Sequence, residues 1–148
     1  MKLRALKNSD SGQAVVETAL FLPALLLLLV GAIDLGRLSQ YDTKLASGAR
    51  AGAQYGSLNL VTADDSAGMK AAVQSDTGSM TGLTISPSTY CTCAGGGGTV
   101  ACTATACSGS HRLLYVSVSV TGTFKPLFNY FGGTSVARTK TATLEVGQ

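Results

Sequence analysis

The chain has 148 residues, a formal net charge of +3 and only 13% charged residues. That length accommodates one membrane helix and one small domain, and a charge so small and scattered gives no argument for a nucleic-acid partner, so none is expected. Mean hydropathy is +0.28, raised by a single apolar run; the remainder has the balance of an ordinary, mildly polar domain.

In chain order, residues 1–12 read MKLRALKNSDSG, with Lys2, Arg4 and Lys7 before a Ser-Gly pair. The run that follows, Ala14 to Ile33, is AVVETALFLPALLLLLVGAI, apolar on every side and centred on Leu25 to Leu29. It has the ~20 residues that a helix needs to cross a hydrocarbon core of ~30 Å, and core helices of soluble domains are rarely apolar all round for so long. Basic residues precede the run and mixed charges follow it (Asp34, Arg37, Asp42, Lys44), so the amino terminus is expected in the cytoplasm and the rest outside the membrane. A secretory signal has a shorter apolar core and a cleavage site just after it; the small-x-small form Ala49-Arg50-Ala51 lies too far past this span to serve.

Glu17 is the only charge within the run. A carboxylate in hydrocarbon costs roughly 2.5–3.5 kcal/mol on insertion scales, relieved in part near the interface. Cleavage after Gly12 would make Gln13 the new amino terminus and put Glu17 one helical turn from a protonated amine. Gly12, Gln13 and Glu17 thus form a coherent chemical set: a cut site, a cation and the carboxylate that meets it.

Gly12-Gln13-Ala14-Val15-Val16-Glu17 resembles a class III (prepilin) leader junction. The longer stretch GQAVVETALFLPALLLLLVGAIDLGRLSQYDTKLASGARAGAQYG is similar to the TadE-like family of minor pilins, which serve the tight-adherence (Tad) pilus of bacteria. The resemblance rests on Gly12, Glu17, Pro23, the exit tetrad Asp34-Leu35-Gly36-Arg37, and Ala49 to Ala53. Thr18 departs from it, since the family usually has an aromatic residue there. The resemblance covers about the first third of the chain. It implies a minor pilin or pseudopilin for assembly of a type IVb-like pilus, cut by a prepilin peptidase. It further implies other Tad pilins, an inner-membrane assembly platform and membrane lipid as partners, with assembly depending on Glu17. The protein would be a single-pass inner-membrane protein with a periplasmic C-terminal domain, or would enter the extracellular pilus. The divisions expected are a leader (1–12), a transmembrane and extended helix (13–57) and a periplasmic domain (58–148).

Beyond the span, Asp34 to Tyr55 has no proline, and Leu35, Leu38, Tyr41, Leu45, Ala49 and Ala53 recur at helical spacing, so the helix is expected to continue. Gly48, Gly52 and Gly56, four apart, make a smooth face for close backbone approach, either to the chain's own sheet or to a partner helix. Asp34 and Arg37, three apart, can pair at the membrane exit or meet a partner. Ser57 to Ala63 reads as a connection, and Asp64 or Asp65 caps a second helix through about Asp76, with Met69, Ala72 and Val73 inward. Thr77 to Ser88 reads as a loop with one short strand, Leu83 to Ile85.

Four cysteines fall between Cys91 and Cys107, as in exported proteins with disulfides. They allow three pairings. A hairpin of two short strands around Gly95 to Gly98 puts Cys93 across from Cys102 and leaves Cys91 with Cys107, a nested pattern. The alternative is a four-thiolate zinc site, although paired knuckle spacing is lacking. Arg112 to Phe124 alternates Val116, Val118 and Val120 with Ser117, Ser119 and Thr121, the mark of a strand with one buried face. Phe128, Tyr130 and Phe131 are an aromatic link, read as core filling or as an interfacial anchor. Thr134 to Val146 alternates again, with Ala142, Leu144 and Val146 on one side. An antiparallel C-terminal pair packed on the long helix makes an α+β, pilin-like domain.

No constellation of catalytic residues is recognisable. His111 is the single histidine, expected exposed, and Gly95 to Gly98 lacks the Lys-Ser/Thr of a phosphate loop. The reading is of a non-enzyme without cofactor or metal. The rival to a pilin is an uncleaved single-pass, membrane-anchored periplasmic binding module.

Overall fold

A computed structural model describes residues 10–78, 80–103, 107–127 and 135–147. Three helices, α1 (Asp10–Ser57), α2 (Leu60–Asp64) and α3 (Ser66–Thr77), precede three strands, β1 (Thr84–Cys93), β2 (Arg112–Phe124) and β3 (Val136–Glu145). The chain divides into two units, one ending at Arg37 and one running from Leu38 to Gln148. The class is α+β, as expected.

In the first unit, α1 passes through Pro23 as one helix and is long and apolar enough to cross a membrane. Its large side chains face outward, from 47% exposed at Ile33 to 76% at Leu20. Such a surface has no place in water and is matched by lipid.

The second unit has its own core. Leu45, Ala49 and Ala53, each four residues on from the last, are fully buried, as the helical spacing predicts. They cluster with Met69 and Val73 of α3 and with Val116, Val118 and Val120 of β2. The sheet is antiparallel in the order β1-β2-β3. Val116 lies opposite Leu144 and Val118 opposite Ala142, so the alternation read along both C-terminal strands produces one shared inner face. Gly122 is needed on that side: a Cβ there would stand 2.2 Å from the Tyr41 hydroxyl oxygen, and Tyr41 meets Phe124 edge-on at 5.7 Å.

The glycine face is filled by the chain itself. A Cβ at Gly48 would lie 2.5 Å from Thr77 Cγ2, one at Gly52 2.7 Å from Val73 Cγ2, and one at Gly56 2.7 Å from Met69 Sδ. Of the two readings of Gly48, Gly52 and Gly56, packing within the chain is therefore the observed one, and these positions are not open to a partner helix. The occupant is mainly α3, with β2 behind it; the glycines let α3 sit close to the α1 backbone.

Two stretches read as irregular are ordered elements. Within the expected connection 57–63 lies α2, capped by Asn59, whose Oδ1 accepts from the N–H groups of Val61 (2.9 Å) and Thr62 (3.0 Å). Thr62 Oγ1 accepts from the Asn59 N–H in return, a capping box with threonine where glutamate is usual. Helix α3 starts as expected at an Asp65 cap, whose Oδ1 accepts from the Gly68 N–H at 2.8 Å. The second correction is β1, which runs ten residues rather than three. It lies at the sheet's edge, where the missing N–H of Pro87 is tolerated. Phe128, Tyr130 and Phe131 lie outside the described residues.

On the outer face, the pairing sets hydroxyl side chains in three consecutive rows: Thr84, Thr121 and Thr139; Ser86, Ser119 and Thr141; Ser88, Ser117 and Thr143. Cross-strand bonds join Thr121 to Thr139 at 2.8 Å, and Thr141 to Ser119 and Thr143 to Ser117 at 3.1 Å. The row beyond them is Tyr90, Tyr115 and Glu145.

Candidate functional site

The sequence-predicted site lies along the amino-terminal part of α1. Helix begins at Asp10, so Gly12 and Gln13 fall in its first turn, where backbone N–H groups have no intrahelical acceptor and the helix frays most readily. A Cβ at Gly12 would meet nothing within 4 Å. Gln13 and Glu17 are exposed and sit at the i,i+4 spacing that puts two side chains on one helix face. Thr18 turns inward on its own helix, its hydroxyl donating to the Ala14 carbonyl at 2.8 Å.

At the exit from the apolar run, Arg37 Nη1 donates to Asp34 Oδ1 at 2.9 Å. The pairing expected from their spacing is present. Asp34 is only 8% exposed, whereas the Arg37 side chain is 42% exposed. The carboxylate of the pair is thus sheltered, and the Arg37 side chain is partly exposed.

Further along α1 stands an ion cluster that the sequence did not announce. Arg138 Nε donates to Asp42 Oδ1 at 2.9 Å, Arg138 Nη2 bonds Asp42 Oδ2, and Lys140 Nζ lies 3.2 Å from the same oxygen. Arg138 and Lys140 alternate with Thr139 and Thr141, so both lie on the helix side of β3 in line with Ala142. The guanidinium beside Asp42 holds its carboxyl down at about 2, with Lys140 adding to the effect. The fork-on-fork geometry fixes orientation as well as charge. Separated by 96 residues, the partners carry no local signal beyond two basic residues on the apolar side of a strand pattern.

A second tie joins the end of α1 to the cap of α3. Tyr55 O–H donates to Asp65 Oδ2 at 2.7 Å. The Gly68 N–H, with this hydroxyl, holds the Asp65 carboxyl below its usual range, and the same bond raises the Tyr55 phenol.

The cysteines are all oxidised, as Cys91–Cys102 and Cys93–Cys107. The nested pairing is therefore wrong, and no thiolate remains for zinc. The reason is register. Cys91, not Cys93, is the residue that pairs with the returning segment, accepting from the Val100 N–H at 2.8 Å. The chain turns directly after Cys93, with Gly95 and Gly96 N–H groups directed at the Cys93 carbonyl. Instead of a hairpin of two strands there is one isolated bridge. Cys102 then falls beside Cys91, their Cα atoms 5.3 Å apart, and Cys93 is left to meet Cys107 at 5.7 Å. Gly96 and Gly97 take positive φ here, which explains glycine at the tip. His111 is exposed.

No curated protein matches the chain, and no solved structure matches it. A family model described as TadE-like protein matches residues 12–54, which begins at the expected cut site, takes in Glu17 and the Asp34–Arg37 pair, and ends in the glycine face. The match lies within α1, and the sheet domain that follows lies outside the matched residues.

Proposed function

We propose that this chain is a minor pilin or pseudopilin of a tight-adherence pilus, with a structural rather than a catalytic role. The observation that carries the reading is that the TadE-like match, residues 12–54, lies within α1 and takes in its whole exposed apolar run. In this reading residues 1–12 are a cytoplasmic leader, a prepilin peptidase cuts between Gly12 and Gln13, and residues 38–148 lie in the periplasm or on the pilus. The new Gln13 amine, or that of a neighbouring pilin, neutralises Glu17. Neutralisation lowers the cost of carrying a carboxylate between lipid and a filament interior. The Asp34–Arg37 pair is a contact point for another pilin or for the assembly platform.

The test is the amino-terminal sequence of the protein from membranes of cells with and without the peptidase. The expected mature chain starts at Gln13 only when the enzyme is present. A chain that still starts at Met1 overturns the reading and leaves an anchored, uncleaved binding module. Glu17→Ala should be cut normally and assemble poorly; normal assembly removes the role given to Glu17.

A further inference from the structure

The two disulfides are crossed in chain order. The first cysteine, Cys91, bonds the third, Cys102, and the second, Cys93, bonds the fourth, Cys107. Of the three pairings that four cysteines allow, this is not the one that proximity along the chain selects. Cys91 and Cys93 are separated by Thr92 alone, and Cys102 from Cys107 by Thr-Ala-Thr-Ala. The observed bonds close 11 and 14 residues. In an unfolded chain the longer closures cost more entropy, so Cys102 meets Cys107 more often than it meets Cys91.

What selects the crossed pairs is the fold, and the deciding strand comes late. All 10 residues of β1 pair with β2, from Thr84 opposite Thr121 to Cys93 opposite Arg112. That pairing holds Cys91 and Cys93 extended on one face of the strand, with Cα atoms about 6.8 Å apart, the upper limit for a bridge. It also fixes Cys91 where the returning segment brings Val100 and then Cys102 alongside. Yet β2 begins at Arg112, beyond the last cysteine. With the amino terminus in the cytoplasm, as in the pilin reading on which this inference rests, the chain leaves the membrane in sequence order. All four thiols then reach an oxidising compartment before the strand that would sort them.

We propose that this domain is a substrate of a thiol–disulfide isomerase, a partner that presents a nucleophilic thiolate to the bonded but unfolded chain. A disulfide-donating oxidoreductase first oxidises neighbouring thiols, giving Cys91–Cys93 and Cys102–Cys107. For each bond it takes up two electrons and two protons and becomes a dithiol. No thiol then remains in the chain, so exchange has to begin from outside. The isomerase thiolate attacks Cys102, breaks the Cys102–Cys107 bond and leaves Cys107 as a thiolate. Cys107 attacks Cys93, breaks the Cys91–Cys93 bond and frees Cys91. Cys91 attacks Cys102, and the isomerase thiolate is released. Two disulfides are present before and after, one thiolate enters and the same one leaves, and nothing is oxidised or reduced. Without a catalyst such rearrangement takes minutes to hours. Once β1 lies against β2 the product is protected, because Cys91 is fully buried and exchange needs access to the sulfur.

The experiment expresses the full chain in bacteria with and without their disulfide isomerase, the oxidising enzyme being present in both. Thiols are blocked on lysis with an alkylating reagent, and the bonds are read by peptide mass spectrometry without reductant. With the isomerase, Cys91–Cys102 and Cys93–Cys107 should predominate. Without it, the crossed pairing should fall to about a third or less, the share that chance gives to one of three pairings, and a peptide with Cys102 bonded to Cys107 should replace it. A chain with Cys93→Ser and Cys107→Ser has one pairing left and should form Cys91–Cys102 equally in both strains. Should that chain be degraded, Cys91→Ser with Cys102→Ser makes the same test on the other bond. Equal yields of the crossed pairs in the two strains overturn the inference. So does a two-cysteine chain that still needs the isomerase, since the help would then not be exchange. Four blocked thiols in both strains overturn the exported location itself, a separate result that removes the inference with it. None of these outcomes depends on cleavage after Gly12 or on pilus assembly.

Discussion

Between Gly12 and Arg37, α1 carries its largest apolar side chains, and Leu20 to Leu29 face outward; between Leu38 and Ser57 it is rich in glycine and alanine, and that face is buried. One helix therefore meets two solvents. Leucine is abundant where lipid is the expected surrounding, since a bilayer accepts bulk without needing shape. Glycine and alanine prevail where a protein neighbour must come close, since there the interlock of surfaces decides and each added methyl group is felt. Hydrophobicity alone does not tell a buried helix face from an exposed one in this chain; the small residues at Gly48, Gly52 and Gly56 mark where a neighbour comes close.

The sharpest way to break this comparison is to exchange the chemistry of the two halves. Gly52→Leu should destabilise the domain by more than ~3 kcal/mol, beyond the usual range for overpacking, because Val73, the Met69 carbonyl and Val118 all crowd the position. Gly31→Leu, with nothing within 4 Å of its Cβ, should leave domain stability unchanged. Thermal unfolding of both variants in the same membrane mimetic checks the pair, and equal stabilities would refute the size rule. A smaller loss is expected from the covalent ties of the second unit. Replacing Cys93 and Cys107 by serine removes a closure of 14 residues and should cost about 3 kcal/mol. Peptide mapping without reductant should join Cys91 to Cys102 and Cys93 to Cys107; a Cys91–Cys107 peptide would contradict the register described above.

The smallest effect concerns the ion cluster. Asp42 has a folded value of about 2 against an ordinary 3.8. Its contribution is therefore complete above pH ~4 and is lost as the pH falls through ~2. Asp42→Asn should lower the unfolding temperature modestly at neutral pH and should flatten the acid dependence between these limits. Because the carboxylate is partly exposed, added salt should shrink the difference. An acid profile identical to that of the parent would show that the cluster does not couple α1 to β3.

What the sequence made legible was periodicity that one residue class carries alone. The apolar run of α1, the valine alternation of β2, the Ala142-Leu144-Val146 side of β3 and an α3 opened by Asp64 or Asp65 are all legible in the sequence, and so is the TadE-like stretch of α1. What stayed hidden depended on pairing across the chain. Strand β1 spells TISPSTYCTC, in which hydroxyl residues and a proline obscure the inward set Ile85, Pro87 and Cys91; only its register against β2 defines it. Helix α2 is set by an Asn59 cap closed with threonine rather than glutamate. The cysteine pairing turned on a displacement of two residues along a turn, which glycines permit without specifying. Asp42 and Arg138 are too far apart in sequence to announce each other.

The two disulfides interlace: each begins before the glycine turn and ends beyond it, so the turn is enclosed by both. A peptide bond broken anywhere from Gly95 to Gly98 would leave Cys91 and Cys93 on one fragment and Cys102 and Cys107 on the other, still bound twice over. Scission of this turn would therefore cost no strand and release no fragment, so that damage to the chain need not be damage to the fold.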